Sequence, residues 1–341
     1  MIDRDMSQRK PQELFYILIA YIFHFVSLIP EVVLCCIRIY RGAHNKKDIV
    51  GVVLLEHIGD IIACEPIIRQ LKSNAPRCYL IGFVKRPYHE YIVYNKNIDL
   101  VIPVKCITIG MLLHHLPVFD RYYILHHNKR MCPICKIPLK KQYGAINITV
   151  DNYYLFGSLL KSYIMSNSIF VDDEQPKLHF PDNIADICRA LLPPSKYIVI
   201  HGRSNEASRD WPADHWDNLI NELCQDGILV VEVGTISVFG NQWNNPLYVN
   251  LCGKTSLIQM AFIVSRAAFF IGIDSGPAQA AHAAGVPKII LLGNYRGYGQ
   301  YMPYSGTIEP NKEIIYKESI NDIEYSSVYG LFKERTNNAL S

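Results

Sequence analysis

The hydrophobic residues of this chain form short continuous runs that alternate with amphipathic stretches. Apolar runs at residues 49–55, 197–201 and 269–273 are each followed by a polar turn and then by the spacing of a helix. Such runs are typical of parallel strands that are buried on both faces. The repetition predicts an α/β protein with parallel sheets. Further strands are predicted near residues 78–84, 100–104, 122–125, 228–233 and 288–292.

Two such series follow one another along the chain. Pro193 and Pro194 precede the second series, so the boundary is predicted at residues 172–195. We expect one α/β domain over residues 48–180 and a second over residues 195–310. Residues 311–341 are predicted to form a helical tail. A chain of 341 residues is long enough to bury both cores.

Residues 1–47 are predicted to form a hydrophobic, membrane-associated helical segment and a basic linker. Residues 14–29 are almost all apolar, but Pro30 interrupts a run that is shorter than the ~20 residues of a transmembrane helix. Three interpretations remain open: a transmembrane helix, an interfacial or re-entrant anchor, and a helix buried against the protein. In both membrane cases the basic residues that follow place the rest of the chain in the cytoplasm. These residues are Arg38, Arg41, Lys46 and Lys47.

Composition limits the compartment and the partners. Half of the residues are hydrophobic, which indicates membrane proximity, and the net charge of +3 is too small to favour nucleic acid as a partner. The 10 cysteines lie in apolar segments of a chain that is too large to need disulfides. We therefore expect reduced thiols and a location at the cytoplasmic face of a membrane, either peripheral or with a single span.

A polar turn separates the strand at residues 269–273 from the next helix. The turn reads Asp274-Ser275-Gly276-Pro277. Backbone N–H groups and the helix dipole favour an anion at a helix start, and Gly276 lets a ligand come close to the backbone. The turn is a candidate phosphate site, and a simple helix cap at Asp274 or Ser275 is the alternative.

Two further loops follow strands in the same way. The loop at residues 202–212 carries Asn205 and Arg209, which suit a diphosphate, although an ordinary solvated loop is the alternative. The loop at residues 56–60 lies where open parallel sheets bind ligands. Asp60 in that loop is a candidate base for the proton of a hydroxyl group, or only a helix cap.

In this order and spacing the loops resemble glycosyltransferase family 9, best known through the ADP-heptose:lipopolysaccharide heptosyltransferases. The resemblance covers about residues 49–300. The motifs that carry it are Gly59-Asp60 with Pro66, Arg209-Asp-Trp-Pro212 with Trp216, Gly253-Lys-Thr-Ser256, and Asp274-Ser-Gly-Pro277.

The resemblance implies a GT-B fold, in which two Rossmann-like domains face each other, and an inverting transfer that requires no metal or other cofactor. A nucleotide diphosphate sugar would act as co-substrate and bind mainly to the C-terminal Rossmann-like domain (residues 195–310). The N-terminal Rossmann-like domain (residues 48–180) would bind the acceptor. By position, Asp60 would be the catalytic base. The donor-binding residues would be Asn205, Arg209, Asp274, Ser275, Gly276 and Gln279.

Three positions depart from the pattern of the family. Gln279 stands where the family usually has His, and Glu56 stands where it commonly has Arg. Gly293-Asn294-Tyr295 replaces the usual Gly-Pro-Thr. Because Gln279 donates hydrogen bonds without carrying charge, the identity of the donor stays open.

Cys132 and Cys135 have the spacing of half a zinc site, and His126 and His127 precede them closely. A structural zinc ion needs four ligands, so a pair of reduced cysteines in a turn is the favoured interpretation. A zinc site and a redox role remain as alternatives.

We expect transfer of heptose or a related hexose to a lipid-linked or surface-glycan acceptor of the lipopolysaccharide type. The alternative is a non-catalytic, sugar-nucleotide-binding scaffold protein at the membrane, which the residues at positions 56 and 279 favour slightly. A dinucleotide-dependent oxidoreductase is disfavoured because no G-x-G-x-x-G follows a predicted strand. Transfer requires Asp60 and the Asp274 turn to face each other across one cleft.

Overall fold

The computed structural model describes residues 11–54, 57–130, 132, 134, 146–192, 195–239, 244–294 and 302–340. Its strands form two sheets in which every pairing is parallel. The first sheet has the order β3-β2-β1-β4 and contains β1 (Ile49–Leu54), β2 (Tyr79–Lys85), β3 (Leu100–Val104) and β4 (Arg121–Leu125). The second has the order β10-β9-β8-β5-β6-β7 and contains β5 (Tyr197–His201), β6 (Leu229–Glu232), β7 (Tyr248–Asn250), β8 (Phe269–Ile273), β9 (Lys288–Leu292) and β10 (Ile314–Tyr316).

Helices connect and cover these strands. They are α1 (Pro11–Ala43), α2 (Ile58–Ala63), α3 (Glu65–Asn74), α4 (His89–Ile92), α5 (Ile107–Leu113), α6 (Leu159–Asn167), α7 (Ile184–Cys188), α8 (Ala213–Gln225), α9 (Leu257–Ser265), α10 (Gly276–Ala283), α11 (Pro310–Glu313) and α12 (Tyr325–Leu340).

The predicted α/β architecture with parallel sheets is confirmed. Every residue of β1, β5 and β8 is buried, as expected for continuous apolar runs covered on both faces. β7 and β10 were not expected from the sequence, because three residues are too few to display a hydrophobic period. β10 pairs with β9. The tail that was predicted to be helical therefore contains a strand of the second sheet in addition to the helix α12.

The α1 helix runs through Pro30 without a break and is buried along one face. Leu28, Cys35 and Ile39 on that face pack into the cluster of apolar residues around the first sheet. Glu31 forms an ion pair with Arg86 at 2.7 Å. This half of α1 therefore lies against the protein, as the third interpretation of the segment describes.

The opposite face of α1 is apolar and exposed. Its exposed side chains recur every three or four residues and are Ile19, Ile22, Phe23, Val26, Ile29, Val33, Leu34, Ile37 and Tyr40. A search of the described residues finds no helix with both the length and the apolar character needed to cross a membrane.

Gln175, in the segment that connects the two halves, forms hydrogen bonds to both of them. The Gln175 side chain donates to the backbone carbonyl of His282 at 2.9 Å and accepts from the backbone N–H of Thr307 at 2.9 Å. Arg69 in the first half donates to the Gln175 carbonyl at 2.8 Å. One cluster of buried side chains also includes both Ile61 and Ala278, so the core is continuous between the halves.

Two glycines offer a matched test of how tightly the first sheet is packed. A Cβ built on Gly51 in β1 would be 2.3 Å from the Tyr122 ring, whereas one on the exposed Gly330 in α12 would meet nothing within 4 Å. We expect Gly51→Ala to lower the free energy of unfolding by about 1–3 kcal/mol through overpacking. Gly330→Ala should raise it by about 0.5–1 kcal/mol, because Ala loses less backbone entropy in a helix. Urea unfolding of the two variants and the parent measures both changes, and equal stability of the two variants would contradict this packing.

Candidate functional site

A cleft of about 480 Å³ lies where the carboxyl ends of strands from both sheets meet. This is the position at which open parallel sheets bind ligands. All seven residues predicted from the sequence line the cleft, and their roles in binding and catalysis remain predictions. They are Asp60, Asn205, Arg209, Asp274, Ser275, Gly276 and Gln279.

The turns that precede α2 and α10 pack directly against each other in this cleft. A Cβ built on Gly59 would be 3.5 Å from the Cα of Gly276, and one built on Gly276 would be 2.5 Å from Cγ2 of Ile58. The absence of a side chain at Gly276 lets the two backbones approach each other, whereas a Cβ at Gly59 would make ordinary van der Waals contact. The acid of the first half therefore faces the polar turn of the second.

Asp60 is held by hydrogen bonds to both of its carboxylate oxygens. Oδ2 accepts from the backbone N–H of His57 at 3.1 Å, and Oδ1 accepts from the Tyr163 hydroxyl at 2.9 Å. Asp60 thus lies in the first turn of α2 and bonds back to the residue before the helix, as the capping alternative describes. A cap and a base are compatible, because each carboxylate oxygen has two acceptor positions.

His57 beside Asp60 contacts Arg130. Its Nε2 lies 3.0 Å from a guanidinium nitrogen of Arg130. Because a guanidinium only donates, Nε2 accepts in this contact. Arg130 thereby brings a positive charge to the side of the cleft that the first half forms.

The loop after β5 is organised by Asp210. Its carboxylate accepts from the backbone N–H of Ser204 at 2.7 Å and from Arg203 at 3.5 Å. A 3-10 helix at Ala207–Arg209 then turns Arg209 into the cleft, and the buried Trp211 anchors the end of the loop through a 2.8 Å hydrogen bond to the Ile323 carbonyl. The loop thus forms a structured wall of the cleft, while its residues 205–208 remain exposed to solvent.

Asp274 carries the perturbed carboxyl group of the site. Burial raises the pKa of Asp274 to about 6, the Arg209 charge lowers it, and the Asp60 carboxylate raises it. Ser275 rather than Asp274 caps α10, since its hydroxyl accepts from the Ala278 N–H at 3.3 Å. The side chain of Asp274 is left to face the cleft.

Gln279 lies behind this turn and is 3% exposed. Its amide nitrogen donates to the Pro303 carbonyl at 2.8 Å, which fixes the side chain. Its Oε1 has no hydrogen-bond partner within the part of the chain that the structure describes. Gln279 lines the cleft, and its role toward a donor remains a prediction.

Several residues of the cleft escaped the sequence analysis. His201 ends β5, where its Nδ1 donates to the Val233 carbonyl at 2.7 Å and burial lowers its pKa. A polar residue at the carboxyl end of an apolar strand was the signal that could have identified it. Tyr153 also lines the cleft, as does His127, which the sequence analysis named only beside the possible zinc site; the buried Tyr163 contacts the cleft residue Asp60. These three residues come from a stretch without regular periodicity, and no local signal marks them as part of this site.

The possible metal site receives no support from the residues that can be assessed. Cys132 is buried in the apolar cluster around the first sheet, whereas Cys135 lies outside the described residues. Glu56 and Tyr295, two of the positions that depart from the family pattern, also lie outside them. No group of three or more His, Cys, Asp or Glu side chains suited to a metal ion occurs among the described residues.

Comparison with known proteins agrees with these motifs. The sequence profile of "Glycosyltransferase family 9 (heptosyltransferase)" matches residues 140–306. Lipopolysaccharide heptosyltransferase 3 of Escherichia coli strain K12 is 27% identical over 105 residues, which are 28% of this chain and 30% of that protein. The aligned part therefore spans less than a third of the relative's length. The resemblance to glycosyltransferase family 9 is confirmed.

Solved structures show the same fold. The glycosyl transferase family 9 protein from Veillonella parvula DSM 2008 has a TM-score of 0.62 and 19% identity, over 85% of this chain and 97% of that one. The E. coli ADP-heptose lps heptosyltransferase II has a TM-score of 0.58 and 15% identity, over 86% and 100%. These likenesses confirm the predicted GT-B arrangement of two facing domains.

The raised pKa of Asp274 predicts a pH-dependent effect on stability. A carboxyl whose pKa rises from 3.8 to about 6 on folding stabilises the fold below pH 3.8, and this contribution is lost as pH rises through about 6. Asp274→Asn should therefore stabilise the protein increasingly over this interval, by up to about 3 kcal/mol at neutral pH.

Urea unfolding at several pH values measures this gain. Asp182→Asn, at an exposed position, is the control and should show no such trend. If Asp274→Asn is no more stable than the parent at neutral pH, burial of the ionised Asp274 carboxylate does not lower the free energy of unfolding, which would contradict this prediction.

Proposed function

We propose that this chain, which resembles glycosyltransferase family 9, is an inverting glycosyltransferase. It moves a heptose or related sugar from a nucleotide diphosphate sugar to a lipid-linked or surface-glycan acceptor of the lipopolysaccharide type. The observation that supports this most directly is the contact between the Gly59-Asp60 turn and the Asp274-Ser275-Gly276 turn in a single cleft.

Asp60 has the surroundings of a general base. In the proposed step the acceptor hydroxyl oxygen bonds to the anomeric carbon, the bond from that carbon to the diphosphate oxygen breaks, and the hydroxyl proton passes to Asp60. One displacement of this kind inverts the anomeric centre. Two hydrogen bonds hold the carboxylate in place before substrate arrives, which avoids reorganisation during the reaction.

The opposite wall supplies stabilisation for the leaving diphosphate. Arg209 carries a positive charge at the cleft, and α10 directs the start of its backbone toward it at Ser275 and Gly276. Asp274 is placed to accept from a sugar hydroxyl, and Asn205 to add a neutral hydrogen bond. Because protein groups provide the positive charge, we propose that no metal or other cofactor is required.

The nucleotide is proposed from chemistry and likeness together. The E. coli structure named above is that of an ADP-heptose enzyme, which supports an adenine nucleotide here. The unpartnered Oε1 of Gln279 would accept from an N–H or O–H group of the donor. A thermal-shift screen with ADP-, GDP-, UDP- and dTDP-sugars identifies the donor class, since ligands that bind the native state raise its apparent stability.

We also propose that the protein lies peripherally on the cytoplasmic face of the inner membrane, near a lipid-linked acceptor. The exposed apolar face of α1 would enter the interfacial region, while the exposed Arg38, Arg41, Lys46 and Lys47 meet anionic headgroups. The opposite face of α1 is packed on the first sheet, so the helix would hold that domain close to the lipid.

Asp60→Asn tests the proposed base. The amide keeps the shape of the side chain but cannot take the proton, so turnover should fall by at least about 10²-fold while the Kd for the donor changes little. Donor consumption and donor binding are measured on the same preparation, with Asp182→Asn as an exposed control. Retained turnover would remove Asp60 from the role, and a parent protein that binds donor without consuming it would support the scaffold alternative.

Phe23→Glu tests the membrane surface. Phe23 on α1 is 71% exposed, and the matched control Phe170 is 73% exposed elsewhere on the protein. Phe23→Glu should weaken binding to phosphatidylcholine–phosphatidylglycerol vesicles by about tenfold or more, because it removes apolar area and adds a repelled charge.

Vesicle co-sedimentation measures both variants, and Phe170→Glu should bind like the parent. Binding of the parent should also weaken in vesicles without phosphatidylglycerol. Equal binding of Phe23→Glu and the parent, or no vesicle binding by the parent, would contradict the membrane role of α1.

A further inference from the structure

We propose that Tyr163 is a positioning residue that orients Asp60 and keeps its carboxylate ionised for proton transfer. This inference rests on the proposed function, because it concerns the residue assigned there as the base. Tyr163 lies in α6, 103 positions along the chain from Asp60, and its side chain is fully buried.

The contact fixes the plane of the carboxylate. The Tyr163 hydroxyl donates to Oδ1 at 2.9 Å, and the His57 N–H donates to Oδ2 at 3.1 Å. Two donors on the two oxygens favour the charged form and restrict rotation of the group. Since each oxygen can accept a second hydrogen bond, the carboxylate keeps the capacity to receive a proton from an acceptor hydroxyl.

Tyr163 is itself held in a row of stacked rings. Its ring lies parallel to His127, with centroids 4.4 Å apart and planes 7° apart. His127 stacks in turn on Tyr153, with centroids 4.8 Å apart and planes 18° apart. The row ends at Asp60, so the position of the Tyr163 hydroxyl depends on the packing of three rings.

The centre of this row is locked by a directional hydrogen bond. Nε2 of His127 lies 2.8 Å from the Ser162 hydroxyl, which donates its one proton to the Leu159 carbonyl at 2.7 Å. The hydroxyl must therefore accept from His127, and Nε2 of His127 carries a proton. His127 cannot rotate its ring without losing this hydrogen bond. The ring therefore stays stacked on Tyr163, and the Tyr163 hydroxyl stays directed at Oδ1 of Asp60.

The Asp274 carboxyl explains why the hydrogen bonds to Asp60 matter for the proposed reaction. Two carboxyl groups that face each other across a cleft compete for a proton, because ionising both is costly. Burial raises the pKa of Asp274, whereas Asp60 receives the Tyr163 hydroxyl and the His57 N–H. The two donors favour the ionised form of Asp60, which is the form that a base requires.

The test compares Tyr163→Phe with Tyr197→Phe. Both variants remove one hydroxyl from a buried tyrosine, and the Tyr197 hydroxyl bonds only to a structural carbonyl, that of Ile263, at 2.8 Å among the described contacts. Tyr163→Phe preserves the ring that stacks on His127. A melting temperature for each variant confirms that the comparison is made on folded protein.

The first readout is the side-chain carboxyl signal of Asp60 in a 13C NMR titration, assigned by its loss in Asp60→Asn. We expect the titration midpoint to rise by about one pH unit in Tyr163→Phe and to stay unchanged in Tyr197→Phe. An unchanged midpoint in Tyr163→Phe overturns the inference, whatever the activity of the protein.

The second readout is the pH profile of kcat with the donor found in the thermal-shift screen. The acid limb should move upward by about one pH unit in Tyr163→Phe, with a fall in kcat of about tenfold and a donor KM within about twofold of the parent. A profile that does not move overturns the inference. A parent protein that turns over no donor counts against the proposed function instead, and the NMR titration still decides the role of Tyr163.

Discussion

The close approach of two backbones at Gly59 and Gly276 is the constraint on which the rest of the site depends. A side chain at Gly276 would meet Ile58 at 2.5 Å and would separate the halves of the molecule at the point where they must meet. Because this contact joins the first turns of α2 and α10, it brings Asp60 and Asp274 into one cleft. Through this approach, the hydrogen-bond donors of Arg209 and Ser275 in the second half share one cleft with Asp60 of the first half.

Two like-charged groups in one cleft need different surroundings if they are to play different parts. Asp60 is held by two hydrogen-bond donors in the first turn of α2, whereas Asp274 has a pKa that burial raises to about 6. The fold produces this difference by placing one acid within the first turn of a short helix and the other just before a capped helix. A single cleft can then contain both a proton acceptor and a group that binds hydroxyls.

The sequence predicted the parts of the molecule that local residue patterns determine. Apolar runs such as residues 269–273 form strands because burial on both faces requires them, and a polar residue directly after a strand reaches the cleft because parallel strands end together. Tyr163 could not be found in this way, since it meets Asp60 only when α6 folds across the first sheet. β10 escaped prediction for a related reason: three residues become a strand only because β9 presents an open edge.

The hydrogen bonds of Gln175 limit how the two halves can move relative to each other. Its side chain is attached to α10 and to the segment at Thr307, while its carbonyl is attached to Arg69 in the first half. These three bonds tie the connection at Gln175 to both halves at once. Any relative movement of the halves at this point would therefore have to carry the bonds along or break them, and a broken bond to a buried carbonyl costs stability.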